Sequence, residues 1–343
     1  MNFISLNIND PDWLTFIKQC PKATAFHHPA WINLISESYG WKSFILGGFD
    51  KGKMVAGLPI VDVKSWLTGK RLVSLPFTDY CSPLVTNPSL YNELVDGLIQ
   101  FCDSHGVSRL EIRGLIPGHH AILREERFVI NNLDLKIDAQ QVFKTFSKKF
   151  RQYSRKGERE GLYLDSNNSL KDMHIFYNLH LKVRKKLGVP TQPKRFFRNL
   201  WDTVVSQGLG RVLIVYYSRQ PVSGAVLLGF NKKAMIKYSA TDPAYLDKRA
   251  HYFTFWKAIE WACQNNFKSI DFGRTDILKE GLRFFKRGWG SIEQPLYYSS
   301  ISKFASLINK MDVISGQILK TAIQHSPVLV GRIIGELLYK HFG

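Results

Sequence analysis

The decapeptide GLRFFKRGWG, residues 281–290, places Lys286 and Arg287 among Phe284, Phe285 and Trp289 and frames them with glycines. A lysine ammonium is a compact charge with three donors, suited to meeting negative charge that develops during a reaction. An aromatic ring offers a flat face on which a base or sugar can stack. Surface loops seldom carry so many rings, and core strands seldom carry Arg283, Lys286 and Arg287 together. Gly288 and Gly290 also let the backbone come close to something. The stretch therefore reads as a site.

Other residues of chemical interest are scattered. RKKLGVPTQPKRFF (184–197) sets Arg184, Lys194 and Arg195 around a Gly-x-Pro turn; this is either a phosphate-gripping loop or a pair of helix ends capped on each side of a turn. His27–His28 precedes Pro29 at a helix start, which fits capping or core better than metal binding, and no metal site is expected. Cys20, Cys81, Cys102 and Cys263 have no CxxC spacing, so neither a zinc site nor a disulfide framework is indicated. No His or Asp spacing supports Cys81 as a nucleophile.

The elements that must position these groups come in two similar sets. SFILGGFDKGKMVAGLPIV reads as a β-hairpin around Asp50-Lys51-Gly52, and RVLIVYYSRQPVSGAVLLGF answers it in the second half. Their second strands carry the small pairs Ala56-Gly57 and Gly224-Ala225. Each hairpin is followed by an amphipathic helix and a short strand: YNELVDGLIQFCDSHG then RLEIRG, and HYFTFWKAIEWACQNN then SIDFGR. The order predicts a duplicated mixed α/β unit. Between the halves, Phe143, Phe146, Phe150 and Tyr153 recur at helical spacing with Arg151, Arg155 and Lys156 around them. One helix is expected there, packing on its rings, ending near Gly157 or Gly161, and showing either a solvated face or an anion-binding one. Residues 301–343 alternate apolar stretches with isolated basic residues; they read as an amphipathic helical tail that packs on the domains or touches a membrane.

The chain has 343 residues, with 47 Lys plus Arg against 28 Asp plus Glu, a formal net charge of +19. So strong a basic excess favours a polyanionic partner: nucleic acid, an anionic membrane surface or a phosphate-bearing substrate. No run reaches the roughly 18 apolar residues of a spanning helix. The N-terminus lacks the pattern of an export signal, so a cytoplasmic protein is expected.

LPFTDYCSP (75–83), KFRQYSRKGEREGL, VRKKLGVPTQPKRFF (183–197) and SIDFGRTDILKEGLRFFKRGWGSIEQPLYY (269–298) together resemble the Fem-type peptidyltransferases and the exosortase-associated Fem-like proteins. These are a branch of the GNAT-fold acyltransferases. The resemblance implies tandem GNAT-like domains, at 1–138 and 139–300, with transfer of an acyl or aminoacyl group to an amine. It implies an aminoacyl-tRNA donor and an acceptor that is a cell-envelope precursor of peptidoglycan or exopolysaccharide type, lipid-linked or nucleotide-linked. The family's Phe-Lys pair falls on Phe285 and Lys286. The long helical arm of some Fem enzymes has no counterpart, and Cys81-Ser82 replaces the family's usual small residues after Asp-Tyr.

Such a transfer passes through an oxyanion and releases an alkoxide, which Lys286 would stabilise as the catalytic cation, unless it closes a structural ion pair. Phe285 would support a ribose or adenine face. A carboxylate must take the amine proton, and Asp79 is the first choice, with Asp271 the other. Arg151, Arg155, Lys156, Arg184, Lys194, Arg274 and Tyr80 are the expected substrate-binding residues. No tightly bound cofactor is expected. Acyl-CoA is the rival co-substrate, but a Q/R-x-x-G-x-G/A loop is not found; Arg287–Ile292 fails at its last position. Work at the inner membrane face, with peripheral contact to anionic lipid, is expected. The competing class is a non-catalytic binder of RNA or anionic lipid that retains the fold.

Overall fold

The computed structural model describes residues 1–65, 69–135, 138–165, 167–302 and 339. The expected helical tail, 301–343, lies outside these apart from three residues. The chain forms two compact units, Met1–Val129 with the strand residues from Pro295 onward, and Ile130–Gln294.

In the first unit, β1 (Asn2–Leu6) leads to helices α1 (Pro11–Gln19) and α2 (Pro29–Tyr39). Strands β2 (Lys42–Asp50), β3 (Lys53–Ser65) and β4 (Gly69–Val73) follow, then the short β5 (Leu84–Val85), α3 (Tyr91–Ser104) and β6 (Arg109–Ile112). The order across the sheet is β1-β2-β3-β4-β6, with β5 on β3. All neighbours are antiparallel except β4 and β6, which are parallel. Residues 299–302 then pair antiparallel with β6.

The second unit takes the end of β7 (Leu123–Asp134), then α4 (Ala139–Thr145), α5 (Lys148–Arg159) and β8 (Tyr163–Asp165). Helices α6 (Leu170–Leu187) and α7 (Lys194–Leu200) precede β9 (Gly210–Tyr217), β10 (Gln220–Phe230), β11 (Lys233–Thr241), α8 (Ala250–Gln264), β12 (Ser269–Asp276), α9 (Glu280–Arg287) and the start of β13 (Ile292–Ser302). Its sheet runs β8-β9-β10-β11-β12-β7. Again the first four strands are antiparallel and the fifth is parallel to the fourth, with a helix between. The duplicated α/β unit is therefore present, down to one strand order.

Local chemistry explains the hairpins. Lys51-Gly52, Ser218-Arg219 and Asn231-Lys232 all have positive φ at both positions, the two-residue turn whose twist matches that of the strands it joins. The small pairs of the second strands are spatially required. A Cβ on Gly57 would lie 2.6 Å from the Trp13 ring, and one on Gly224 would lie 2.8 Å from the Leu213 carbonyl.

The single basic helix expected between the halves is instead two. Phe146 is extended, with φ −67° and ψ 152°, and the Ser147 N–H donates to the Gly288 carbonyl at 3.0 Å, so it is not available to a helix continuing from α4. The aromatic stripe still faces inward. Phe143, Phe146 and Phe150 are buried in a core with Trp256, Phe255, Phe272 and Trp289, and Gly157 sits inside α5 against Phe253. In the first unit, β2, β3 and α3 close on Leu46, Leu58, Ile60, Leu94 and Leu98.

Gly288 is the tightest point of this arrangement, since an added Cβ would lie 2.2 Å from Phe150 Cζ. Gly288→Ala is expected to lose about 1–3 kcal/mol by overpacking. Gly281→Ala, where nothing lies within 4 Å, should be neutral or gain roughly 0.5–1 kcal/mol from helix propensity. Urea unfolding followed by circular dichroism separates the two.

Candidate active site

Strands β11 and β12 pair over only three registers, Lys233↔Ser269 to Met235↔Asp271. Beyond these both strands continue unpaired with each other, so the sheet parts between them. Just past the last paired residue, Gly273 takes φ +73°, a conformation that favours glycine. Asp271, 4% exposed, fixes the kink by accepting the Gly273 N–H on Oδ1 at 2.7 Å.

Lys286 meets this kink from α9. It is 4% exposed, and Nζ donates to the Gly273 carbonyl at 2.6 Å and the Arg274 carbonyl at 3.3 Å. The other two cations of the decapeptide turn elsewhere. Arg283 forks onto Glu293, with Nη2 to Oε1 at 2.7 Å, and Arg287 Nη1 lies 3.6 Å from the same oxygen. That pairing holds the Glu293 carboxyl below its usual range, chiefly through the Arg283 hydrogen bond. It also clamps α9 to the start of β13.

Phe285 is half-buried and meets the rings of Phe150, His251, Tyr252, Phe255 and Trp289 at centroid distances of 4.9–5.9 Å. The close approaches that Gly288 and Gly290 permit are to Phe150 and Thr145. So the glycines serve packing, and packing sets where Lys286 emerges.

The remaining basic residues of the second unit divide by task. Arg151 Nη1 donates to the Lys144 and Phe146 carbonyls, capping the end of α4. Arg155 lies over the Phe143 ring at 5.3 Å, and Lys156 is half-buried on the same helix. Arg184 donates Nε and Nη2 to the Pro190 carbonyl at 3.0 and 2.6 Å, just past the left-handed Gly188. For Arg184 the capping alternative is the geometry present. Lys194 opens α7 and Arg195 is exposed, while Arg274 is half-buried on β12.

The first unit holds Asp79 and Tyr80 in a loop under strain. Leu75 and Phe77 have φ +65° and +59°, unusual for bulky residues. Such strain persists where the surroundings over-determine it, and here they do. Arg113 Nη1 donates to the Thr78 carbonyl, Ser74 Oγ to the Cys81 carbonyl, Trp31 Nε1 to Thr78 Oγ1, and Tyr298 Oη to the Asp79 carbonyl. His27 Nε2 lies 2.9 Å from the Ser82 carbonyl, and His28 Nδ1 caps α2 by accepting from Ala30, both as expected for capping and core histidines. Cys81 is fully buried and desolvation pushes its thiol far above the ordinary range, against a nucleophilic role. Arg113 and Tyr298 were not singled out in the sequence; the Arg inside RLEIRG, a charge ending an apolar strand, was the available signal. Among the described residues no group of three or more His, Cys, Asp or Glu is placed to hold a metal.

Four antiparallel strands and a parallel fifth reached through a helix, repeated in the two units, are the strand order of a tandem GNAT-type fold. Residues 144–287 match the family model of the acetyltransferase (GNAT) domain. That match lies within the second unit. The chain is similar in fold to FemX, at 14% identity and a TM-score of 0.68 over 87% of this chain and 97% of that one. It is also similar to the C-terminal domain of a protein from Agrobacterium fabrum described as a lysylphosphatidylglycerol synthetase (14% identity, TM-score 0.56, 91% and 95% covered). A third likeness is to a tandem GNAT protein from the clavulanic acid biosynthesis pathway (9% identity, TM-score 0.53, 89% and 99% covered). No curated protein is matched by the sequence. The Fem-like resemblance and the tandem GNAT architecture expected from the motifs are met in the fold.

One group that the sequence did not flag carries a pH dependence. His180 on α6 is buried, with Nε2 3.1 Å from Gln192 Oε1 and Nδ1 without a hydrogen-bond partner. Desolvation first, and the nearby Arg184 second, lower its pKa to about 3. The native imidazole stays neutral while the unfolded chain takes up a proton below about 6.5. Stability therefore falls as the pH drops from 6.5 toward 3, by up to about 1.4 kcal/mol per pH unit for this one group. Urea unfolding at pH 7 and pH 5 should show a smaller loss in His180→Phe than in the wild type.

Proposed function

We propose that the protein is an N-acyltransferase or aminoacyltransferase that moves an acyl or aminoacyl group from aminoacyl-tRNA or acyl-CoA to an amine on a cell-envelope or exopolysaccharide precursor. The observation that carries this reading is Lys286: a desolvated cation fixed by two backbone carbonyls where β11 and β12 have parted. When the amine nitrogen attacks the acyl carbonyl, negative charge passes to the carbonyl oxygen, and then to the leaving oxygen or sulfur as the old bond breaks. A preorganised charge in a water-poor site stabilises both without reorganisation.

The amine must also lose a proton. Asp79, beside Tyr80 in the strained loop of the first unit, is the proposed base, since Asp271 already holds the Gly273 N–H. Arg155, Lys156, Lys194 and Arg274 are proposed to face an anionic donor or acceptor, with Phe285 beneath it, while Arg151 and Arg184 hold backbone carbonyls. The net charge of +19 supports such a partner and work at an anionic membrane face. Among the described residues no helix is long and apolar enough to cross a membrane. A fold shared with a protein named for making lysylphosphatidylglycerol, an aminoacyl lipid, supports the aminoacyl donor. The likeness to a tandem GNAT protein described without acetyl-CoA keeps acyl-CoA beside it.

Purified protein is to be incubated with labelled aminoacyl-tRNA and acyl-CoA pools, and single-turnover transfer measured with whichever donor reacts. Lys286→Met is expected to leave donor binding intact and lower turnover by roughly 100- to 1,000-fold, the loss of one oxyanion donor. Lys286→Arg should recover only part of it, because a planar guanidinium cannot occupy the ammonium's position. Bound donor reacting at the wild-type rate in Lys286→Met would make the lysine scaffold.

A further inference from the structure

Where β11 ends, a groove of about 180 Å³ opens between α6 and the start of β10. The register Ser223↔Thr241 places it at the end of the sheet toward which β11 and β12 part. Leu179 and Pro221 give it apolar lining; Asn178, Gln220 and Tyr245 give it polar lining. It also contains Lys182 and Asp242, paired at 2.6 Å.

The two charges are not equivalent. Asp242 has a side chain only 12% exposed, and both its oxygens are occupied: Oδ2 accepts from Lys182 and Oδ1 from the Ala244 N–H. Lys182 is 54% exposed and gives one N–H to that pair, which leaves two of the three donors of an ammonium. Asp242 thus orients the lysine. The amides of Asn178 and Gln220 can each donate as well as accept. The two N–H donors left on Lys182 suit a group rich in acceptor oxygens, such as a carboxylate. Size narrows the class further. Pockets for nucleotide- or drug-sized molecules run to about 300–1,000 Å³, so this groove takes a small end group rather than a nucleoside.

We infer that the groove is a subsite for the carboxylate of an amino-acid-sized group with a small aliphatic side chain, the carboxylate on Lys182 and the aliphatic part against Leu179 and Pro221. In the proposed transfer reaction it would anchor one end of the acceptor. That last clause rests on the functional reading above, whereas occupancy of the groove does not.

The test reads binding directly, with saturation-transfer NMR titrations of the full chain using N-acetylalanine and its uncharged amide, N-acetylalaninamide. The acid should bind and the amide should bind about tenfold or more weakly, as expected for loss of a charge-assisted hydrogen bond. Lys182→Met should weaken the acid by about 10- to 100-fold, and Lys182→Arg should restore most of the loss. Asn178→Asp, an exposed change that brings a like charge to the rim, should weaken the acid with the melting temperature unchanged. Equal binding of acid and amide, no binding of either, or acid binding indifferent to both Lys182→Met and Asn178→Asp would overturn the inference. Acid binding without any transfer activity would leave the subsite standing and count against the transferase reading alone.

Discussion

Trp289 has no exposed surface, and the second unit is arranged around it. The edges of Phe146 and Phe150 meet it at 5.1 Å, and Phe255 stacks on it at 5.8 Å. Its neighbour Gly288 accepts the Ser147 N–H, so one turn of backbone joins α9 to the break between α4 and α5. A large ring buried in this way contributes on the order of 2–3 kcal/mol through area alone, with more from edge contacts. The consequence is positional. Lys286 lies three residues before the anchored ring, on a helix whose other side is clamped by Arg283 and Arg287 to Glu293. With both sides of α9 held, the ammonium has one place to go, the carbonyls of the β12 kink.

The same economy runs through the charges. A net charge of +19 would repel itself if every cation stood on the surface. Several instead have their donors or faces engaged locally by carbonyls, as with Arg151 at the end of α4 and Arg184 at the 188–190 turn, or by rings, as with Arg249 over Tyr153 at 4.3 Å. Arginine suits these tasks because its fork reaches two acceptors and its plane lies on a ring. These arginines keep their charge but have donors engaged, so fewer guanidinium donors remain to grip a partner than the count of basic residues suggests.

Much of the fold was legible in the sequence. Periodicity and turn residues gave both hairpins, the helices α3 and α8 and the strands after them, because these depend on local pattern and on burial of one face. The break at Phe146 was not legible: it depends on a hydrogen bond to Gly288, more than 140 residues away, against a continuous helical spacing of rings. The position of Lys286 was read from its motif, but not its partners, since carbonyls freed by the Gly273 kink leave no mark on side-chain pattern. The groove at Lys182 and Asp242 was missed for the same reason. Its lining comes from three separated segments of ordinary composition, and only the sheet register brings them together.

The loop from Leu75 to Ser82 behaves like a loaded spring. Two bulky residues held at positive φ store roughly 1–3 kcal/mol each, and the restraints come from α2, β6, the final strand and the turn before α2. None of these is strong alone, yet each closes the loop against relaxation. The shape presented by Asp79 and Tyr80 is therefore a readout of how well four distant stretches of chain are assembled. A protein built this way would lose the geometry of that loop before it lost its fold.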